Sequence, residues 1–221
     1  MNKYKVILFD LDGTLSDPKE GITKSVQYAL EYMNIVEEDL DKLDFFIGPP
    51  LQESFKEYYG FDERQTNKAI ERYRERFKKV GMFENHLFPN IDSLLSALVK
   101  QGFILVVATS KPTVFAKQIV EYFNIKQYFD LIVGSQLDGT RTSKSEIIRY
   151  IMDRYEKQRL RDFVMIGDRK HDMIGAKFCG IDSIAVTYGY GSYNELATEE
   201  PTFIVDSVLK LKELLLGTSI S

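Results

Sequence analysis

The sequence has no tryptophan, a single cysteine and no basic block, and nothing in it approaches the ~18 consecutive apolar residues of a membrane span. Cys179 has no partner for an internal disulfide, which points to a reducing compartment and an expected cytoplasmic location. The start, Met1-Asn2-Lys3-Tyr4-Lys5, leads into only four apolar residues before Asp10, which argues against a secretory signal. With 29 basic residues against 33 acidic ones and a formal net charge of −4, a nucleic acid polymer finds no electrostatic footprint. The Tyr and Phe residues are spread through helical patterns, so they read as core packing rather than a base-stacking platform. No internal repeat or low-complexity stretch is visible, and only Gly217 to Ser221 reads as a frayed tail. What is present is ordinary for a folded protein: 44% hydrophobic and 28% charged residues in a chain of 221, long enough for one large domain or a core with a smaller insertion.

Val6-Ile7-Leu8-Phe9 is a short continuous apolar run that stops at Asp10, the pattern of a strand buried on both faces. Similar runs follow at Phe103 to Ala108, Leu131 to Val133, Phe163 to Ile166 and Ile184 to Val186, with a weaker sixth at Phe203-Ile204-Val205. Helical spacing separates them: Ile91, Leu94, Leu95 and Leu98; Val114, Phe115, Ile119 and Phe123; Ile147, Ile148, Ile151 and Tyr155. Alternation of this kind predicts an α/β fold, a Rossmann-like parallel sheet core flanked by helices. The stretch from Pro18 to about Asn85 breaks the rhythm. It carries helical spacing at Ile22, Val26, Ala29, Leu30 and Met33, then at Ala69, Ile70, Tyr73, Phe77 and Val80, and no comparable strand. At roughly 70 residues it is too long for a structureless loop. We therefore expect a helical cap at 17–86 inserted into a core of 1–16 and 87–221; the alternative is that these helices only thicken one face of the core.

Open α/β sheets place their sites at the carboxyl ends of the strands. Read in order, those ends carry Asp10-Leu11-Asp12-Gly13-Thr14, Thr109-Ser110-Lys111, Lys144, and Gly167-Asp168 followed by Asp172. Asp10 and Asp12 are two apart, so on extended backbone both point the same way, and Gly13 allows a tight turn there. Asp172 falls in the first turn of the next helix, one turn from Asp168. Four carboxylates at one sheet edge repel: two unit charges ~4 Å apart at an effective dielectric of ~20 cost ~4 kcal/mol. A divalent cation removes that conflict, and an oxygen-only donor set favours Mg²⁺ over zinc. Thr109 offers a hydroxyl, the turn at Ser110 offers backbone N–H groups, and Lys144 a compact positive charge, all suited to phosphate oxygens. The competing readings are bland: a turn for Asp10 and Asp12, helix capping by Thr109 and Ser110 ahead of Pro112, a solvated helix position for Lys144 capped by Ser143, and a helix-dipole role for Asp172.

These four elements, in this order, resemble the motifs of the haloacid dehalogenase-like hydrolases from residue 5 to about 190, with the helical insertion where that superfamily carries its cap. Ile47-Gly48-Pro49-Pro50-Leu51, Thr109-Ser110-Lys111-Pro112 and Tyr188-Gly189-Tyr190-Gly191 are similar to its phosphoglycolate phosphatase group, and Leu137-Asp138-Gly139-Thr140-Arg141 to a bacterial 5′-nucleotidase-like branch. The resemblance implies Asp10 as nucleophile, Asp12 as acid and base, and Thr109 and Lys144 as their catalytic companions. It implies Asp10, Asp12, Asp168 and Asp172 as the Mg²⁺ set, with Asp12 reaching the metal through its carbonyl and Asp172 directly or through water. Gly13, Thr14, Gly48, Thr109, Ser110 and Lys144 form the expected phosphate and substrate contacts. The partner is then a small-molecule phosphate ester, phosphoglycolate-like or a nucleoside 5′-monophosphate, handled by a monomer or homodimer.

Other outcomes of the same residues are a sugar phosphomutase, a halocarboxylate dehalogenase, which needs no metal, or a phosphate-binding regulator without turnover. His171 reads as an exposed first-turn residue and His86 as a boundary residue, neither with a chemical role. Cys179 reads as core without a neighbouring cation, and the charged stretch Glu71 to Lys79 as a solvated helix face, with a lesser reading that part of it attracts anionic substrates.

Overall fold

Six parallel strands form the centre of the computed structural model, which describes residues 3–217. The elements run β1 (Val6–Phe9), β2 (Ser16–Asp17), α1 (Lys19–Tyr32), α2 (Leu51–Tyr59), α3 (Glu63–Lys79), β3 (His86–Leu87), α4 (Ile91–Lys100), β4 (Ile104–Pro112), α5 (Thr113–Tyr122), β5 (Leu131–Ser135), α6 (Lys144–Met152), β6 (Phe163–Gly167), α7 (Lys170–Cys179), β7 (Asp182–Val186), α8 (Tyr193–Thr198), β8 (Phe203–Val205) and α9 (Val208–Leu216). The main sheet has the order β5-β4-β1-β6-β7-β8. Counted among themselves these strands read 3-2-1-4-5-6, the doubly wound order, and the direction of winding reverses between β1 and β6. Crevices at such a reversal open beyond the carboxyl ends of the strands, where Asp10 and Asp168 follow β1 and β6.

The continuous apolar run of β1 is explained by its two neighbours and two faces. β1 pairs in register with β4 and with β6, Leu8 lying opposite Val106 and Met165. Val6 and Leu8 pack with Ile147, Ile148, Ile151 and Ala176 of α6 and α7. Ile7 and Phe9 join the larger core with Leu94 and Leu98 of α4, Ile119 of α5 and Leu211 of α9. A side chain on either face is buried, so the period of two in direction leaves no period in polarity.

The insertion is helical, as its spacing predicts. Ile22, Val26, Ala29 and Leu30 of α1 and Ala69, Ile70, Tyr73 and Phe77 of α3 are buried and continuous with the larger core. Asp62 starts α3 through a reciprocal cap: its side chain accepts from the Gln65 N–H, and the Gln65 side chain accepts from the Asp62 N–H. Val80, the last member of the predicted stripe, lies past the helix end and is half exposed.

Two features differ from the sequence reading. β2 and β3 pair antiparallel, Ser16 with Leu87 and Asp17 with His86, where no strand is predicted; two residues are too few to show a period. β4 also continues past Ala108 to Pro112, with a break in its pairing to β5 between Thr109 and Pro112. Thr109 and Ser110 therefore lie in extended backbone and do not cap α5, whose N-cap is Pro112. At the other end Gly217 closes α9 in the left-handed conformation; the rest of the predicted tail, 218–221, lies outside the described residues. Among the described residues no helix is long and apolar enough to cross a membrane.

Candidate active site

Three carboxylates meet at the reversal point. Asp10 Oδ1 accepts the N–H of Leu11 at 2.7 Å and lies 3.1 Å from Lys144 Nζ. Asp168 Oδ1 accepts the Thr14 hydroxyl at 3.1 Å, and its Oδ2 accepts the Tyr190 N–H at 2.8 Å. Asp172 Oδ2 accepts the N–H of Arg169 at 3.1 Å, at the start of α7, and its Oδ1 lies 2.7 Å from Lys144 Nζ. One oxygen from each of Asp10, Asp168 and Asp172 lies within 4.8 Å of the others. Asp12 does not bring its side chain to this group. Lys111 Nζ draws Asp12 Oδ2 to 3.0 Å, and Asp12 Oδ1 is buried without a hydrogen-bond partner. Thr14 likewise differs from the phosphate contact expected of its side chain: it is fully buried and its hydroxyl is committed to Asp168.

Close backbone approach explains the glycine after Asp12. Gly13 has φ +79°, and a Cβ built there would stand 2.1 Å from Asp168 Oδ2. Any other residue would displace the carboxylate as well as strain the turn.

Lys144 is the hub of the cluster. It opens α6, where Ser143 is the cap that the sequence suggests and Glu146 returns the bond to the Ser143 backbone. Its side chain is almost completely buried, so it is not a solvated helix position; Nζ also donates to the Ala108 carbonyl at 2.9 Å. Burial disfavours the charged ammonium, but Asp10 and Asp172 outweigh it and raise the pKa above the usual lysine range. The acids respond oppositely. Burial, then the charges of Asp10 and Asp172, push Asp168 well above the usual carboxylate range. Burial pushes Asp172 up to about 6 against the pull of Lys144. Asp12 is raised by burial and by Asp10, against the pull of Lys111. The cluster is short of positive charge, and its free donors are carboxylate oxygens, a set that suits Mg²⁺. On β4, the Thr109 hydroxyl oxygen accepts the Lys111 N–H at 3.2 Å, which leaves its proton available to a ligand. The Ser110 carbonyl is held by the Ser135 hydroxyl at 2.8 Å.

The insertion supplies the facing wall. A cavity of about 70 Å³ is lined from the core by Asp12, Ser110 and Lys111 and from the insertion by Gly48, Tyr73 and Arg74. Arg169 ties the two sides together: its Nη1 donates to the Ile47 carbonyl at 2.5 Å and its Nε pairs with Glu195 at 3.0 Å. Gly48 has φ +102°, and a Cβ on it would stand 2.7 Å from Arg169 Cγ, so this position also demands glycine. Lys111 Nζ sits 4.2 Å from the Phe77 ring centroid, a second contact between the core and the insertion.

Lys111, Arg169, Tyr188 and Tyr190 are site neighbours that the sequence reading leaves without a role, and Arg74 enters it only within the charged stretch Glu71 to Lys79, part of which carries the lesser reading of attracting anionic substrates. Lys111 and the Tyr188–Gly191 run appear there only as parts of motifs; the Tyr188 hydroxyl donates to the Thr14 carbonyl at 3.0 Å, and the Tyr190 hydroxyl pairs with Asp17. His171 is half-buried rather than exposed, beside Ser110 and Lys144 in a side cavity. Burial and the cations Arg169, Lys170 and Lys144 lower its pKa, so it is held neutral. His86 is exposed, 3.6 Å from Asp17 in the β2–β3 pair. Cys179 does have a neighbouring cation, Arg149, but burial is the stronger influence and raises the thiol pKa.

A family model described as haloacid dehalogenase-like hydrolase matches residues 7–186. The chain is 49% identical over 213 residues to a 5′-nucleotidase of Pseudomonas aeruginosa, covering 96% of each. It is 28% identical over 218 residues to a phosphoglycolate phosphatase of Vibrio parahaemolyticus, covering 95% of each. Among solved structures, that of a predicted phosphatase from Clostridium acetobutylicum aligns with a TM-score of 0.94 at 53% identity, covering 97% of this chain and 99% of that one.

Proposed function

The chain belongs to the haloacid dehalogenase-like hydrolases and is a phosphoric monoester hydrolase; from that premise we propose that it hydrolyses small phosphomonoesters, phosphoglycolate-like or nucleoside 5′-monophosphates, through an aspartyl phosphate on Asp10 with Mg²⁺ as cofactor. The observation that carries this reading is the convergence of Asp10, Asp168 and Asp172 around Lys144 at the winding reversal.

Asp10 attacks phosphorus with one carboxylate oxygen; that P–O bond forms as the bond to the leaving alcohol breaks. An ionised carboxylate needs no base for this step. Asp12 gives its proton to the departing oxygen, which a carboxyl raised by burial is suited to hold beforehand. Asp12 then takes a proton from water, the water oxygen bonds to phosphorus, and the bond to Asp10 breaks to release phosphate. Lys144 places its ammonium beside Asp10, where charge accumulates, and the Thr109 hydroxyl with the backbone N–H groups around Ser110 receives phosphoryl oxygens. Asp10, Asp168 and Asp172 would hold Mg²⁺, with the Asp12 carbonyl as a further oxygen; when bound, the ion supplies the positive charge that offsets the phosphoryl oxygens. Thr14 and the Tyr190 N–H keep Asp168 in place for that role. The insertion acts as a cap at 17–86 on a core of 1–16 and 87–221, and excludes water while the ester is intact.

Asp10→Asn is the direct test, assayed with p-nitrophenyl phosphate and Mg²⁺ and by trapping a phosphorylated protein. We expect no turnover and no trapped phosphate in the variant, and unchanged circular dichroism. Wild-type turnover in Asp10→Asn would overturn the mechanism.

A further inference from the structure

Three arginines stand at alternate positions on α3, and two of them are neutralised. Arg72 Nη1 pairs with Glu75 at 2.8 Å, and its guanidinium lies over the Tyr32 ring. Arg76 meets Glu84 with two prongs, at 2.7 and 3.0 Å. Arg74 lies between them, half-buried, with no hydrogen bond or ion pair to any described residue. Glu71 and Asp138 border a cavity with Arg74 but neither pairs with it, so a guanidinium taken partly out of water keeps its charge uncommitted.

The place of Arg74 gives that charge a use. It lines the same cavity as Asp12, whose carboxyl must meet the ester oxygen. Gln52 and Arg74 also border a second cavity beside Leu137, Asp138 and Gly139. The neighbouring Tyr73 lines the cavity shared with Asp12 as well, which sets this part of α3 across from the acid and base group. The other cation on the cavity wall, Lys111, is already engaged by Asp12. At about 70 Å³ the cavity has room for a few waters or a leaving group of comparable size.

We propose that Arg74 recognises a second anionic group, a carboxylate or a further phosphate, carried by the leaving alcohol of the substrate. The planar fork of a guanidinium matches either group with two parallel hydrogen bonds. The proposal rests on the phosphatase reading of the site and narrows it: it selects an ester whose alcohol carries an anionic group of its own, as in phosphoglycolate, over the ester of a neutral nucleoside.

The test compares kcat/KM for phosphoglycolate, glycerol phosphate and a nucleoside 5′-monophosphate in wild type, Arg74→Ala and Arg74→Lys. Phosphoglycolate and glycerol phosphate present the same kind of phosphate ester with and without a carboxylate. In Arg74→Ala the ratio of phosphoglycolate to glycerol phosphate efficiency falls about 30-fold or more, mainly through KM, and Arg74→Lys restores part of it. A bisphosphate in place of phosphoglycolate distinguishes phosphate from carboxylate as the preferred anion. An unchanged ratio overturns the proposal. So does an Arg74 dependence confined to the nucleotide, which would mean a base stacked on the guanidinium. If Asp10→Asn is inactive while the ratio stays fixed, the assignment of Arg74 fails and the phosphatase mechanism stands; if Asp10→Asn keeps its turnover, the mechanism itself fails.

Discussion

At the sheet edge each charged side chain has a fixed partner: Asp10 has Lys144 and a backbone N–H, Asp168 has Thr14 and Tyr190, Asp172 has Lys144 and the Arg169 N–H, and Asp12 has Lys111. Across the cavity, the α3 wall is held by apolar packing of Ala69, Ile70, Tyr73 and Phe77, and Arg74 is left without a counter-charge. The contrast separates two tasks. Transferring a phosphoryl group requires charges fixed in advance to a fraction of an ångström, so the chain surrounds each with donors that cannot move independently of the sheet. Recognising a leaving group requires that part of the surface remain unsatisfied until the ligand arrives.

The largest effect that could break this comparison is removal of the hub. Lys144→Met leaves Asp10 and Asp172 buried without their ammonium, and we expect a loss of about 3–5 kcal/mol in stability in the absence of Mg²⁺ and ~10³-fold in kcat. Thermal unfolding with and without Mg²⁺, beside steady-state turnover, checks both; a variant as stable as wild type in chelator would show the cluster is not charge-strained.

A smaller effect follows from the raised acids. Asp172 titrates at about 6 in the folded chain, above its unfolded value near 4, and Asp168 is shifted in the same direction. Between those values the folded state binds more protons than the unfolded state, so these groups favour folding at low pH and lose that contribution as pH rises through the folded pKa. Held by the cluster as proposed, Mg²⁺ would bind its deprotonated form and offset the loss. The gap in Tm between Mg²⁺-saturated and chelated protein should therefore widen from pH 4 to pH 7, by the equivalent of on the order of 2 kcal/mol. A gap that narrows over that range would contradict the charge imbalance.

The smallest effect belongs to the other wall. Asp62→Ala removes the cap of α3 and costs about 1 kcal/mol, measured by denaturant unfolding, with turnover of p-nitrophenyl phosphate retained. Loss of turnover equal to that of Lys144→Met would mean that the two regions are not separable in function.

The same division governs what the sequence could reveal. Asp10, Asp168 and Lys144 are legible because each directly follows a buried strand or opens a helix, and local patterns mark those positions. The strands of the sheet are legible for the same reason, since burial on both faces leaves an uninterrupted apolar run. The partners are not. Arg169 meets Ile47 across 122 positions, and Tyr190 reaches Asp168 across 22, contacts that exist only after the sheet is wound. Arg74 is disguised by its company: one charge among several in Glu71 to Lys79, it differs from Arg72 and Arg76 in making no ion pair with a described residue. The pairing of Asp12 with Lys111 depends on β4 running on through Lys111, past the point where its apolar run stops.

The β2–β3 pair has a consequence for how such a molecule can be altered. Its two rungs, Ser16 with Leu87 and Asp17 with His86, bring the exit and the return of some 70 residues to adjacent strands, a spacing of ~4.8 Å. Whatever polypeptide joins those two points leaves and re-enters the core through one narrow doorway. A recipient scaffold would have to match that doorway and the two contacts beyond it, Arg169 with Ile47 and Lys111 with Phe77, for the intervening segment to be exchanged for one of different size or shape.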